Sequence, residues 1–255
     1  MQFARALLVC AIPLFAGVPA GAQTGEQTGE RADTAITGAR YSEPTTRYDH
    51  AILGDDIEWG ALVLDVDTCA GCTRRAMRVV TIRLPQTRVF EDVAPRLADL
   101  DGDGHPEVIV VESDLSRGAR LAVYDENGVR AATPFIGRPH RWLAPVGAAD
   151  LDGDGFVEIA YVDRPHLAKV LRVWRFADDA LTLVAEAPGY ANHRIGETDI
   201  SGGVRDCGSG PEMIVATADW RALVAAQFEN GEILARVIAA QTRPADFDAA
   251  MGCDF

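Results

Sequence analysis

Four strand-rich units of similar length, two of them entered through the same acidic loop, predict an all-β fold for this chain of 255 residues. The first observation is a repeat. Glutamates 58, 107, 158 and 212 each open a short apolar run, and they stand 49, 51 and 54 residues apart. The second is the chemistry of those runs. Glu107-Val-Ile-Val-Val and Glu158-Ile-Ala-Tyr-Val are short, apolar and rich in β-branched residues, as buried strands are. The third is punctuation: Asn127-Gly128 and Asn230-Gly231 fall between apolar runs where hairpins turn. Together they predict a small β-propeller over residues 47–255, of about four blades, each with four antiparallel strands.

Each unit repeats one order of elements. The glutamate-led strands are Trp59–Leu64, Val108–Glu112, Ile159–Asp163 and Met213–Ala218. Second strands follow at Met77–Leu84, Arg120–Tyr124, Leu171–Phe176 and Ala222–Phe228. Weaker third strands are placed at Arg88–Asp92, Val129–Ile136, Leu181–Ala187 and Ile233–Ala239. A fourth, leading to the next junction, is placed at Arg96–Leu100, Trp142–Leu151 and His193–Ile200. The last unit lacks its fourth strand, and a spare one, Tyr48–Asp55, precedes Glu58. A ring accounts for both: the N-terminal strand completes the last sheet on Ile233–Ala239 and hides its edge. The four tryptophans, 59, 142, 174 and 220, fall in or beside these strands and suit the packed space between sheets.

The two acidic loops carry the chemistry. Asp99, Asp101, Asp103 and Glu107 stand at positions 1, 3, 5 and 9 of the first, and Asp150, Asp152, Asp154 and Glu158 repeat them in the second. Calcium takes six to eight hard oxygen ligands, which alternate carboxylates on a curled loop supply together with one main-chain carbonyl, here that of His105 or Phe156. Glycines at positions 4 and 6 permit the curl. An EF-hand is excluded, because position 12 is Val110 or Tyr161 and strands, not helices, flank the loop. About two calcium ions per chain are expected. The third junction, Asp199 to Glu212, is five residues longer and lacks the middle aspartates; Arg205 could stand there in place of a cation.

Leu97-Ala-Asp-Leu-Asp-Gly-Asp-Gly and Val146-Gly-Ala-Ala-Asp-Leu-Asp-Gly-Asp-Gly resemble the FG-GAP (VCBS-type) repeats of integrin-α-like propellers. The resemblance is specific in the two middle units and degenerate in the outer two. It implies calcium at both loops, with Glu107 and Glu158 where the family more often has aspartate, and a ring smaller than the family's usual one.

The chain opens with the marks of a signal peptide over residues 1–22: Arg5, the apolar run 6–18 and Ala20-Gly21-Ala22. A flexible leader is expected over residues 23–46, and no apolar stretch has the length of a membrane span. An exported protein, periplasmic or extracellular, would oxidise its cysteines, and the expected pairs are Cys69–Cys72 and Cys207–Cys253. A net charge of −14 argues against nucleic acid as a partner. The five histidines form no cluster in sequence and are read as ordinary polar positions near strand ends. No catalytic triad motif or phosphate loop is present. The expected function is an exported calcium-binding scaffold for a protein or carbohydrate ligand, with calcium structural. The alternative is a hydrolase with its site at the central opening.

Overall fold

A computed structural model describes residues 34–255. The signal peptide, and the leader as far as residue 33, lie outside the described residues. The fold is all-β with antiparallel sheets and one short helix. The first sheet holds β1 (Ala35–Thr45), β2 (Glu58–Asp67), β3 (Met77–Arg83), β4 (Arg88–Phe90), β5 (Arg96–Ala98), β6 (Glu107–Asp114), β7 (Gly118–Asp125) and β8 (Gly128–Ala132). It is two leaves joined by the single bridge of Trp59 to Phe90, which passes from β2 to β4. The second sheet holds β9 (Leu143–Ala149), β10 (Val157–Asp163), β11 (Val170–Ala177) and β12 (Ala180–Pro188). The third holds β13 (Tyr190–Ala191), β14 (Gly203–Asp206), β15 (Pro211–Thr217), β16 (Leu223–Glu229) and β17 (Glu232–Ala239). Helix α1 (Pro244–Met251) follows.

The glutamate-led strands alternate between two cores, because successive side chains point to opposite faces. On β6, Val108 and Val110 pack toward β1 and β2, while Ile109 and Val111 pack toward β9 and β10. On β10, Ile159 and Tyr161 join that second core, and Ala160 and Val162 enter a third with Met213 and Val215 of β15. The remaining face of β15, Ile214 and Ala216, meets Phe247 and Ala250 of α1. Burial on both faces explains why these strands read as continuous apolar runs.

Several expectations are corrected. Strand β1 falls inside the stretch read as a flexible leader, and it pairs along β2 from Ala35↔Asp67 to Thr45↔Glu58. Residues 48–55 are not a strand; Tyr48 is buried, and Ile52 plugs the core between the first and second sheets. Ring closure is therefore not seen: β17 pairs with β16, and α1 covers the face that a closing sheet would need. The strand that leads into each junction also belongs to the sheet that follows it. β5 pairs with β6, β9 with β10, and β14 with β15. His193–Ile200 is loop between β13 and β14.

Both expected disulfides are present. Cys69–Cys72 closes a tight turn, and Cys207–Cys253 spans 46 residues, tying the end of α1 to β14. Loop-closure entropy for that span predicts that Cys207→Ser with Cys253→Ser costs roughly 4 kcal/mol. A denaturant titration of the double variant is expected to show that loss together with a steeper slope, because the unfolded chain without the crosslink exposes more surface.

Candidate metal centres

Each acidic loop joins an inner strand to a glutamate-led strand, and the first aspartate organises its curl. Asp99 accepts from the amides of Gly102 at 2.8 Å and Gly104 at 2.9 Å. Asp150 accepts from Gly153 at 2.8 Å, Asp154 at 3.1 Å and Gly155 at 3.0 Å. The glycines at positions 4 and 6 have φ of 75° and 86° in the first loop and 75° and 92° in the second, which side chains rarely adopt. The ninth residue reaches back: Glu107 accepts from Leu100 N and Glu158 from Leu151 N, both at 2.9 Å. Asp99, Asp101 and Glu107 thereby bring ligand oxygens within 4.8 Å of one another, as do Asp150, Asp152 and Glu158. These two clusters could hold a metal ion. Asp103 and Asp154 stand outside them and accept instead from the amides of His105 and Phe156.

Residues 99–161, which span both loops, match a family model described as FG-GAP-like repeat. Over those residues the chain is similar to an FG-GAP-like repeat. Comparison with curated proteins returns no match.

Each repeat is also served by an arginine outside the loop motif. Arg130, on β8, donates to Asp101 at 2.9 Å and to Glu107 at 2.6 Å, and pairs with Asp179 of the next sheet. Arg175, on β11, reaches Asp152 at 2.9 Å, Asp154 at 2.8 Å and Glu158 at 2.7 Å. The register places Glu158 opposite Arg175, so in the second repeat the basic residue on the second strand was the available signal, whereas Arg130 of the first lies on the third strand. Burial pushes the Glu107 and Glu158 carboxyls above their ordinary range, and the arginine and the loop amide pull each partly back. One guanidinium against four loop carboxylates leaves each site with an excess of negative charge.

Beyond the matched repeat the junctions diverge. At the third, Arg205 is 6 % exposed and donates to Glu212 at 3.0 Å and to the carbonyl of Ala250, while Arg236 takes the other Glu212 oxygen at 2.6 Å. A guanidinium holds the position, as its sequence suggested. At the first junction Glu58 is buried and makes no ion pair among the described residues.

The histidines, scattered in sequence, gather in the fold. His50, His140 and His166 line one cavity of about 260 Å³, and the ring of His193 stands 5.1 Å from that of His166 and 5.0 Å from Trp142. Burial holds both His166, to about 4, and His193 below the usual histidine pKa.

Proposed function

We propose that the protein is an exported, calcium-stabilised, propeller-like module that acts as a scaffold for a protein or carbohydrate ligand. The observation that carries the calcium reading is Asp152 Oδ1. It is a buried carboxylate oxygen with no hydrogen-bond partner, inside a cluster of acids that already shares one guanidinium. A buried acceptor of this kind is costly unless a cation or donor meets it. Asp99, Asp101, Asp103 and Glu107, with the His105 carbonyl, would hold one ion. Asp150, Asp152, Asp154 and Glu158, with the Phe156 carbonyl, would hold the other. The ion would supply charge neutralisation and a crosslink between two strands, which stabilises the folded state by its binding free energy. Two disulfides fit an oxidising compartment, and no helix among the described residues is long and apolar enough to cross a membrane.

Calorimetric titration of chelator-stripped protein with Ca²⁺ tests this. About two ions per chain are expected. Asp152→Asn is expected to remove one and to lower the melting temperature only when calcium is present. A stoichiometry of zero, or of four, overturns the reading.

A further inference from the structure

Three of the five histidines line a cavity whose lining includes no residue of the acidic loops, and a fourth, the buried His193, stands behind His166. They come from four places in the chain. His50 lies on the segment that plugs the core, His140 precedes β9, His166 follows β10, and His193 follows β13. Three of the four imidazoles have one ring nitrogen tied to an oxygen. His50 Nδ1 meets the Glu91 carboxylate, His140 Nε2 meets Asp49 at 3.1 Å, and His193 Nε2 meets the Glu197 carbonyl at 2.9 Å. A carbonyl only accepts, so His193 Nε2 carries the proton and its Nδ1 carries the lone pair. That Nδ1 faces His166 Nε2 at 3.0 Å.

Tying one imidazole nitrogen to a carboxylate or carbonyl is the arrangement that orients histidine ligands on a metal; in His193 the other nitrogen is held by His166. The outer partner of His50 is itself fixed. Glu91 is fully buried, its second oxygen accepts from Ser113 Oγ, and its main-chain carbonyl accepts from Trp142 Nε1 at 2.8 Å. The His140 ring stacks on His50 with centroids 5.2 Å apart. The nearby Arg164 guanidinium is forked onto buried Asp163 at 2.9 and 2.7 Å, so its charge is met. Two ligands on a tetrahedral zinc with bonds of 2.0–2.1 Å stand about 3.3 Å apart, close to the His166–His193 separation.

We propose that this cavity is a transition-metal site of the zinc class, with His166 Nε2 and His193 Nδ1 as the ligand pair and His50 as the third ligand. Among the described residues only the acidic loops bring three ligand atoms within 4.8 Å, so the site is not preformed: the ion would draw His50, which lines the same cavity, toward the pair. Binding replaces the hydrogen bond between the two imidazoles. The His166 proton moves from Nε2 to Nδ1, and both lone pairs turn to the ion. Glu91 is a positioning residue that acts through His50.

The test uses the full chain without an affinity tag, stripped with chelator and then saturated with calcium so that oxygen sites are filled. Calorimetric titration with Zn²⁺ is expected to show one ion per chain. His166→Gln and His50→Gln are each expected to weaken it by at least tenfold, and Glu91→Gln by about 10–100-fold. Co²⁺ in place of zinc is expected to give the visible absorption of a tetrahedral nitrogen-bound ion, lost in His166→Gln. Melting curves recorded without zinc show whether each variant is folded; His166 is half-buried and His50 lies on a loop, so the two substitutions check one another. Absence of saturable zinc binding overturns the proposal. So does binding that survives unchanged in folded His166→Gln and His50→Gln, which places the ion on the acidic loops or the surface. Neither result bears on the calcium stoichiometry above.

Discussion

A chain truncated through Thr45 is expected to melt far below the full chain or to aggregate. Strand β1 lies along the whole of β2, and without it β2 presents an open row of amides and carbonyls, a template for pairing with other chains. It also carries three apolar side chains into the first core. Ile36 is buried, Ala39 packs against it, and Tyr41 stacks on Phe90 with centroids 5.3 Å apart and on Trp59 at 6.5 Å. Burying a side chain of the size of isoleucine or tyrosine contributes about 1.5–3 kcal/mol, before the ladder hydrogen bonds are counted. The loss is therefore comparable with the whole stability of a domain, about 5–15 kcal/mol. Thermal unfolding and size-exclusion chromatography of the truncated and full chains check it. Melting within a degree or two of the full chain would falsify the role assigned to β1. Tyr41→Ala is the milder version, expected to cost about 3 kcal/mol while leaving the ladder in place.

The same strand shows where sequence reading stopped. β1 has a register shift between Ile36 and Gly38, so its apolar residues fall out of alternation, and Glu43 and Pro44 add the look of a loop. A bulge hides a strand from any period-2 test. β6, β10 and β15 were legible for the opposite reason: they are buried on both faces, and each has an unbroken apolar run directly after its glutamate. The acidic loops were legible because their turns dictate glycine at fixed positions. Ring closure failed on a local signal overlooked at the C-terminus. Arg243-Pro244 with Asp246 is a helix start, with proline in the first turn and Asp246 accepting from the Arg243 amide at 2.8 Å. The resulting α1 is eight residues long, and it lays Phe247 and Ala250 on the face that the ring would have closed. The histidine cavity was beyond reach for a different reason. Its three imidazoles and that of His193 behind them are up to 143 residues apart in sequence, and only the topology brings them together.

Glu58→Gln is expected to stabilise the protein, and more so as pH rises. Four glutamates open equivalent strands, and three of them meet arginine: Glu107 with Arg130, Glu158 with Arg175, Glu212 with Arg205 and Arg236. Glu58 has none and is 2 % exposed. Burial, reinforced by the nearby acids Glu91, Asp55 and Asp92, pushes its carboxyl up to about 9. The folded state therefore keeps a proton that the unfolded chain releases above about pH 4.5. Between those two values the folded chain binds more protons than the unfolded one, so stability falls as pH rises from about 4.5 to about 9. Below that window the group costs nothing, and above it the full penalty is present. At 1.36 kcal/mol per unit, the cost reaches on the order of 5 kcal/mol by pH 8. Glutamine keeps the shape and never ionises. The variant and the parent are expected to melt together near pH 4.5 and to separate steadily toward pH 8, with the parent the less stable. Parallel melting curves across that range would mean that Glu58 finds a cation after all, and that the first junction is held like the other three.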